Sequence, residues 1–320
     1  IVVDITRNNW LEQIIEFKPD ILLTKPGGLT SKFKQLYDER LTILVKELKY
    51  FSFPSLDEVL IYENKRFFSY WLMAHKIPHP KTNVFYSRSE AISFLQKVHY
   101  PLVAKVNIGA SGSGVTILEN HKEAVSYIDR TFSGKGAIKR TGPNLTKGHV
   151  LQRGLQYLIH PDRISKKVNI YRSRKLDIQN DFVIFQEYIQ HEFEWRVVRI
   201  GDSFFAHKKL KIGEKASGSL KKIYDKPPVT ILNFVKELTE RFGFFSQAVD
   251  LFEVGNDYLV NEMQCIFGQT DPYQMIVDDQ QGRYIYRNTE WIFEPGNFNT
   301  NESYDLRLET AIKLFRENYQ

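Results

Sequence analysis

The spacing of hydrophobic residues along the chain predicts a mixed α/β protein. Apolar residues at three- and four-residue intervals predict amphipathic helices, and short apolar runs bounded by polar residues predict strands. The predicted helices cover about 30–48, 63–75, 87–98, a stretch that opens at 120, 228–242 and 303–317. The predicted strands are Ile1–Ile5, Asp20–Thr24, Asn83–Tyr86, Phe182–Ile189, Trp195–Ile200, Phe204–Leu210, Ala248–Val254 and Tyr258–Met263.

The ends of several predicted elements carry capping and turn residues. Thr30 is placed as the N-cap of the first helix, and Ser87-x-x-Glu90 and Asn120-x-x-Glu123 are capping boxes. Gly243 follows the helix at 228–242 as its C-terminal cap. Gly201-Asp202 predicts the turn of a hairpin between two strands.

Two segments lack a clear period. Lys211–Tyr224 is rich in Lys, Gly and Ser and predicts a polar loop, and 132–180 shows only two short candidate strands, His149–Gln152 and Asn169–Arg172. The segment 132–180 holds eleven lysines and arginines against two aspartates, so it carries the basic character of a chain whose net charge is +6. It could attract an anionic substrate, or it could be a solvated insertion.

Composition narrows the class of protein. A chain of 320 residues corresponds to about two domains of ~150 residues each. A single cysteine, Cys265, excludes an internal disulfide, and no apolar run reaches the ~18 residues of a membrane span. We therefore expect a cytoplasmic protein that does not enter a membrane. Since Ile1 falls inside a predicted strand, we also expect residues to precede it.

A glycine-rich loop joins two short apolar runs. Lys105 ends the first run, the loop spans Gly109–Gly114, and Val115–Leu118 form the second run. Glycines allow successive N–H groups to surround phosphate oxygens, and a nearby lysine adds positive charge. The order of residues matches neither a P-loop nor a dinucleotide fingerprint, because a strand rather than a helix follows. The alternative is an ordinary Gly/Ser hairpin turn.

The hairpin near residue 255 carries two carboxylates. If Gly255-Asn256-Asp257 is a three-residue turn, Asp250 faces Glu262, and Gln264 lies on the same face. Opposed carboxylates repel unless a cation lies between them, and Mg²⁺ is commonly held by one or two carboxylates together with substrate phosphates. A two-residue turn would place the carboxylates on opposite faces. The alternative is an exposed acidic hairpin.

A third group of polar residues begins at the end of the buried strand at 182–189. Gln186-Glu187-Tyr188-Ile189 is an extended segment with a polar end, and Glu194 comes seven residues after Glu187. Such a segment can offer backbone groups to an adenine edge, while a carboxylate accepts hydrogen bonds from ribose hydroxyls. The alternative is a strand followed by a charged turn.

In this order, the motifs resemble the ATP-grasp superfamily. The resemblance spans about Ile1–Met275, counting the small α/β unit as the family's preceding domain, and its ordered motifs start at Glu63-Asn64-Lys65 and Ile77–Thr82. It implies that Lys65 and Lys105 contact phosphates and that Glu194 contacts ribose. It also implies a phosphate loop of Gly109, Ser111, Gly112, Ser113 and Gly114, an adenine-binding hinge of Gln186, Glu187, Tyr188 and Ile189, and a Mg²⁺ site of Asp250, Glu262 and Gln264.

The resemblance implies an α/β (α+β) ATP-grasp fold in which two α+β subdomains grip ATP. A small pre-ATP-grasp α/β domain would cover 1–60, and the ATP-grasp domain would cover 61–320. Within the latter, 83–185 would form the glycine-loop subdomain, with the basic insertion 132–180, and 186–320 would form the metal-binding subdomain. The subgroup that contains ribosomal-protein glutamate ligases is the most similar, since it shares the pattern of Glu194-Trp195-Arg196.

Most members of this superfamily are ligases. A carboxylate attacks the γ-phosphate of ATP, ADP leaves, and an amine or thiol attacks the acylphosphate. We therefore expect ATP and Mg²⁺ (or Mn²⁺) as cofactors and a small-molecule or peptide carboxylate and amine as substrates. Arg196 is expected to act in catalysis. Lys208 and Lys209 alternate in direction on their strand, so only one can face the site, and Lys209 is preferred.

Three departures from the superfamily pattern leave the substrates open. Gln264 replaces the usual asparagine, Ala248 stands where D-alanine ligases place an arginine, and 132–180 is longer and more basic than expected. Two other functions stay open: a phosphotransferase on the same scaffold, and a non-catalytic nucleotide-gated module that binds an anionic polymer. Few aromatic residues interleave the basic segment, so nucleic acid is not expected. The sequence does not determine the oligomeric state, and a dimer is compatible with it.

Overall fold

The structure is a computed structural model. It describes residues 1–27, 30–109, 114–139, 161–212, 215–216, 221–267 and 271–319. Within these ranges the α-helices are α1 (Trp10–Phe17), α2 (Ser31–Thr42), α3 (Leu56–Ile61), α4 (Lys65–Ala74), α5 (Arg88–Phe94), α6 (His121–Arg130), α7 (Pro161–Leu176), α8 (Val229–Arg241) and α9 (Tyr304–Tyr319). None of these helices has the length and apolar character needed to cross a membrane.

The described strands form three sheets. They are β1 (Ile21–Leu23), β2 (Phe51–Phe53), β3 (Thr82–Phe85), β4 (Leu102–Lys105), β5 (Val115–Leu118), β6 (Val183–Glu187), β7 (Phe193–Ile200), β8 (Ser203–Ile212), β9 (Lys215–Ala216), β10 (Lys222–Ile223), β11 (Ser246–Val254), β12 (Asp257–Gln264), β13 (Ile276–Val277), β14 (Gln280–Arg287) and β15 (Glu290–Pro295). β1 and β2 pair in parallel, and β3-β6-β4-β5 form an antiparallel sheet. The largest sheet has the order β12-β11-β7-β8-β14-β13, with β9 and β10 on β8 and β15 on β14.

Each antiparallel sheet has its own apolar core. On the four-stranded sheet, Phe185 is fully buried and its ring lies 6.2 Å from that of Tyr127 in α6. On the largest sheet, α8 contributes Leu232 and Val235, and α4 contributes Trp71, whose ring lies 5.7 Å from that of Phe244. Because α4 packs on the largest sheet but precedes β3 of the smaller one, it lies where the two sheets meet.

Local capping explains where the predicted helices begin. The side chains of Thr30, Ser87 and Asn120 accept hydrogen bonds from backbone N–H groups three residues later, which satisfies donors that have no partner inside the helix. These three predicted N-caps are confirmed. The helix after Ser87 is shorter than predicted: it ends at Phe94, whereas the predicted end is Val98.

The predicted strand Ile1–Ile5 is wrong. These residues form no strand, and Ile1 and Val2 are 82% and 93% exposed, so no sheet edge supplies hydrogen-bond partners. The prediction of a loop over Lys211–Tyr224 is partly wrong, since β8 continues to Ile212 and the short strands β9 and β10 pair with it. In both cases pairing between distant strands, rather than local sequence, decides the outcome.

In the basic segment, the predicted strand Asn169–Arg172 is wrong because these residues belong to α7. Long basic side chains are good helix formers, which favours the helix. The other candidate strand, His149–Gln152, lies outside the described residues. Part of the charge is paired: Lys139 Nζ lies 2.7 Å from Asp177 Oδ2, and Asp177 also accepts a hydrogen bond from the backbone N–H of Ser31.

A buried glutamate links α3 to the largest sheet. Glu58 is 1% exposed, and its carboxylate accepts backbone hydrogen bonds from Ser55 and from Ser246 in β11, both at 2.8 Å. Burial raises the pKa of Glu58 to about 7, although these hydrogen bonds oppose the rise.

We expect the free energy of unfolding to fall as the pH rises from about 4.5 to about 7. The pKa of Glu58 is 4.5 in its ordinary environment and about 7 in the fold, so the folded state binds more protons in this interval. The loss due to Glu58 amounts to about 3 kcal/mol. Urea unfolding at pH values below and above this interval measures it. Glu58→Gln cannot ionise and should reduce the difference; an unchanged difference would contradict the assignment.

Candidate functional site

A cleft lies between the four-stranded sheet and the largest sheet. It encloses about 1260 Å³ of empty space, including the solvent at its mouth, which is ample for ligands whose pockets measure ~300–1,000 Å³. Of the residues predicted for the site, its walls contain Lys65, Lys105, Gly109, Gly114, Gln186, Glu187, Tyr188, Ile189, Glu194, Lys209 and Glu262. Predicted residues from distant parts of the chain therefore meet in one place.

The strands on either side of the glycine loop place Lys105 at the cleft. β4 and β5 are antiparallel, with Lys105 opposite Val115. The Nζ atom of Lys105 donates a hydrogen bond to Asn261 Oδ1 of the largest sheet at 3.1 Å. Burial, together with the charge of Lys65, lowers the pKa of Lys105 to about 8. Ser111, Gly112 and Ser113 lie outside the described residues.

Lys65 opens α4 and reaches the first residue of the glycine loop. Its Nζ atom donates to the backbone carbonyl of Gly109 at 2.9 Å and lies 3.5 Å from Glu63 Oε2. The backbone of Glu63 has a left-handed φ of 50°, and its side chain is almost fully buried. Burial raises the pKa of Glu63 to about 7 despite the neighbouring lysine. The start of the helix is held by Asn107, whose Oδ1 atom accepts from the N–H of Arg66.

The segment at the end of β6 lies along the cleft. The side chain of Glu187 accepts a hydrogen bond from the N–H of Lys81 at 2.7 Å, and the N–H of Glu187 donates to the carbonyl of Lys81. The carboxylate of Glu187 therefore holds two neighbouring chain segments together. Tyr188 and Ile189, which follow the strand, also line the cleft.

The β11–β12 hairpin brings Asp250 opposite Glu262, but not by the predicted turn. The turn has two residues, since Val254 pairs with Asp257 rather than with Tyr258. A β-bulge between Asp250 and Leu251 leaves Asn261 out of the pairing, which shifts the register by one residue. The predicted three-residue turn is wrong, and the bulge restores the predicted pairing of Asp250 with Glu262.

Asp250 is fully buried at the centre of a charged cluster. Arg196 donates to both of its oxygens, through Nε at 2.7 Å and Nη2 at 2.8 Å, and Lys209 donates to Oδ2 at 2.6 Å. Burial alone would raise the pKa of Asp250, but the two cations outweigh it and hold the pKa well below its usual value. Asp250 is therefore ionised and accepts three charge-assisted hydrogen bonds.

Lys209, rather than Lys208, faces the cleft. Its Nζ atom lies 2.6 Å from Glu194 Oε2 as well as from Asp250. The other oxygen of Glu194 accepts a hydrogen bond from Asn261 Nδ2 at 3.2 Å. Lys208 points the other way, to Asp225 and over the rings of Phe193 and Trp195.

Glu262 differs from Asp250 in having an open carboxylate. No described side chain or N–H group donates to it, and it lines the cleft. The amide oxygen of Gln264 accepts from Arg196 Nη2 at 3.1 Å, and Asp250 uses three of its roughly four acceptor positions. Only Glu262 is open to Mg²⁺ in this arrangement, and the metal ion would take most of its other ligands from phosphate oxygens and water, since Asp250 and Gln264 could contribute only their remaining lone pairs. The described residues contain no cluster of three or more His, Cys, Asp and Glu side chains that could hold a metal ion.

Four residues of this region have no role in the predictions from sequence. Glu63, Asn107 and Asn261 make the contacts described above, and His207 pairs with Arg196 across β7 and β8. The two ring nitrogens of His207 are buried and have no hydrogen-bond partner in the part of the chain that the structure describes, and burial followed by the charge of Arg196 lowers its pKa to about 3. Glu63 lies in the same motif as Lys65, so its neighbourhood in the sequence pointed to it. The position of Asn261 depends on the β-bulge, which no local sequence pattern predicts.

Comparisons with known proteins give two local sequence matches. No family model matches the chain. It is 37% identical over 67 residues to the alpha-aminoadipate–LysW ligase LysX of Saccharolobus solfataricus, which covers 21% of this chain and 24% of that protein. It is 28% identical over 82 residues to a phosphoribosylamine–glycine ligase of Fusobacterium nucleatum, which covers 26% and 19%. The matches thus span about a quarter or less of the length of these relatives.

Solved structures match over most of the chain. The N5-carboxyaminoimidazole synthetase of Staphylococcus aureus, complexed with ADP, matches 85% of this chain and 60% of that chain, with a TM-score of 0.52 and 13% sequence identity. The structures that the chain matches are ATP-grasp proteins, and the chain has the ATP-grasp fold. The predicted fold is confirmed.

We expect Asp250→Asn to lower the free energy of unfolding by about 3–5 kcal/mol, because it leaves Arg196 and Lys209 buried without their shared counter-charge. Glu262→Gln is the matched control. Its carboxylate forms no ion pair with any described residue, so the change should be within about 0.5 kcal/mol. Urea unfolding of both variants measures the difference. Equal effects would contradict the distinction between the two carboxylates.

Proposed function

We propose that the protein is an ATP-dependent ligase that joins a carboxylate to an amine through an acylphosphate and releases ADP and phosphate. The observation that carries this proposal is the composition of the cleft. Lys65 and Lys105 approach from the smaller sheet's side, while Glu262, Lys209 and Glu194 approach from the largest sheet. Cations and an open carboxylate on facing walls suit a metal-bound polyphosphate.

The comparisons support the same class of reaction. Both curated relatives are named as ligases, and the solved synthetase from Staphylococcus aureus is complexed with ADP. The pattern Glu194-Trp195-Arg196 supports a place near the ribosomal-protein glutamate ligases. The proposed domain division, with 1–60 preceding an ATP-grasp domain at 61–320, belongs to this interpretation.

The nucleotide would lie across the cleft with its base at the end of β6. Backbone groups of Gln186–Ile189 would bind the adenine edge, and Phe252 and Met263 supply apolar contacts on the opposite wall. Glu194 would accept from the ribose. Lys65 and Lys105 would bind phosphate oxygens, and each would exchange a hydrogen bond within the protein for one to the nucleotide.

Glu262, Asp250 and Gln264 would hold Mg²⁺, which neutralises phosphate charge when bound. Arg196 keeps Asp250 ionised and fixes its orientation through two hydrogen bonds. Lys209 occupies the space between Glu194 and Asp250, so its ammonium group is ordered before substrate arrives. Such preorganised cations stabilise the charge that develops during phosphoryl transfer.

The proposed reaction has two steps. A carboxylate oxygen of the first substrate attacks the γ-phosphorus, the bond to the ADP oxygen breaks, and ADP leaves with that electron pair. The amine then attacks the acyl carbon, phosphate leaves with the electrons of the C–O bond, and the amine proton passes to solvent or phosphate. Alignment of these groups within the cleft is the main contribution of the protein. The basic segment 132–180 would attract an anionic substrate.

Product analysis tests the reaction class. We expect Mg-ATP with pooled amino acids, small acids and amines to give ADP only when substrates are present, together with a product of the mass of acid plus amine minus water. ADP with a phosphorylated product would instead support a phosphotransferase. AMP would contradict the proposal, and ATP binding without turnover would support a binding module.

The cleft residues should affect turnover and not folding. We expect Lys105→Met and Glu262→Gln to lower ATP turnover by about 100-fold or more, because each removes a charge that faces the developing transition state. Steady-state ADP formation measures the effect, and thermal unfolding shows whether the fold is kept. Lys208→Met is the matched control for the lysine, since Lys208 points away from the cleft. Unchanged turnover in Lys105→Met would mean that the nucleotide binds elsewhere.

A further inference from the structure

A buried arginine at the start of α9 has no ion-pair partner among the described residues. Arg307 in α9 is 4% exposed, and its Nη2 atom donates to the backbone carbonyl of Phe267 at 3.0 Å. Its Nε and Nη1 atoms are buried and have no hydrogen-bond partner within the described ranges. The guanidinium lies over the ring of Phe267 at 4.2 Å, so one face is covered by an aromatic ring. Two charged donors are therefore left without an acceptor.

The described part of the chain supplies no ion-pair partner for Arg307, although Glu302 lies near enough to act on its charge. Among the described residues no carboxylate forms an ion pair with Arg307, and residues 268–270, which follow Phe267 in the sequence, are Gly-Gln-Thr. A buried charge without a partner is costly, and proteins generally pair such charges or bind ions with them. A protein is expected to retain an unpaired buried charge where a bound ligand supplies the missing partner.

The backbone before α9 is also held in an unfavourable conformation. Asn301, Glu302 and Ser303 have φ values of 50°, 56° and 63°, in the left-handed region that side chains other than glycine rarely adopt. Such residues concentrate at binding and active sites, where the surrounding structure holds them. Here the side chain of Gln274 donates to Ser303 Oγ at 2.9 Å and to Asn299 Oδ1 at 3.1 Å, and all three residues are buried.

Other positive groups lie near the guanidinium of Arg307. Arg307 lies in the first turn of a 16-residue helix, whose dipole favours an anion at this end, although Asp305 stands in the same turn. Lys25, in the segment after β1, holds its Nζ atom 5.7 Å from the ring centre of Tyr304, and the guanidinium of Arg307 lies 5.2 Å from the same ring. Tyr304 is 41% exposed, so a ligand can approach from solvent past this ring.

The cluster adjoins the metal-binding side of the cleft. Phe267 comes three residues after Gln264 at the end of β12. Tyr62, which directly precedes Glu63 of the cleft wall, packs on the same apolar cluster as Ile266, the residue before Phe267. A substrate that reaches Glu262 could therefore extend to Arg307.

We propose that Arg307, together with Lys25 and the first turn of α9, binds a carboxylate of a substrate that also carries the reacting group. The substrate class is then an amino acid or a dicarboxylic acid. A carboxylate is favoured over a phosphate because one buried cation with two open donors matches a single negative charge and two oxygens. This inference rests on the proposed ligase function for its catalytic meaning, while the anion site itself can be tested separately.

The binding test compares wild type with Arg307→Met. The probes are L-glutamate, succinate and inorganic phosphate at matched ionic strength, and thermal unfolding is the readout. Glutamate or succinate should stabilise the wild type and not the variant, because a ligand stabilises only the state that binds it. Arg316→Met, an exposed position on the same helix, is the matched control and should respond like the wild type.

The binding test has clear contrary outcomes. Equal stabilisation of wild type and Arg307→Met by the carboxylates would overturn the site, as would stabilisation by phosphate alone. If Arg307→Met does not fold, Lys25→Met, at an exposed position, takes its place, and an unchanged response to the carboxylates in that variant would overturn the site.

The kinetic test separates this site from the proposed function. If the ligase is active, Arg307→Met should raise the KM for the amino acid or dicarboxylic acid about 10- to 100-fold, as expected for a lost charged hydrogen bond, and leave the KM for ATP unchanged. An active ligase with the same substrate KM in both proteins would overturn the site and leave the ligase function intact. Absence of ligase activity, with Arg307-dependent stabilisation by carboxylates, would overturn the function and leave the site intact.

Discussion

The structure of the site depends on the buried ion cluster of Asp250, Arg196 and Lys209. Three strands supply these residues, β11, β7 and β8, so the cluster ties the middle of the largest sheet together at the floor of the cleft. Removing charges from water costs free energy that only close, well-aligned partners recover. The bidentate contact of Arg196 and the second cation meet this condition, and they leave Glu262 as the open carboxylate on the neighbouring strand.

Much of the fold could be predicted from local sequence. Capping residues such as Thr30 and Asn120 bond to backbone groups within one helical turn, so the local sequence is sufficient to predict where these helices begin. Hairpins such as β7–β8, joined at Gly201-Asp202, are nearly as local. The order of the ATP-grasp motifs predicts the fold, and most of the site residues that the resemblance implies line one cleft. Their roles in binding and catalysis stay predictions.

The features that sequence reasoning missed depend on contacts between distant segments. Whether Ile1–Ile5 becomes a strand depends on a partner strand, and the pairing of Asp250 with Glu262 depends on a bulge that compensates for a shorter turn. The importance of Glu63 follows from its burial beside Lys65, which contacts the glycine loop 44 residues after itself in the chain. No local pattern encodes such contacts, because the same residues would be unremarkable on an open surface.

The β-bulge has a consequence for how the cleft opens. Asn261, the residue that the bulge leaves unpaired, contacts Lys105 of the smaller sheet through its oxygen and Glu194 of the largest sheet through its nitrogen. Its side chain therefore bridges the two halves of the cleft. If Lys105 binds a phosphate as proposed, the bridge loses its contact with the smaller sheet, so the ligand and the other half of the cleft compete for the same lysine.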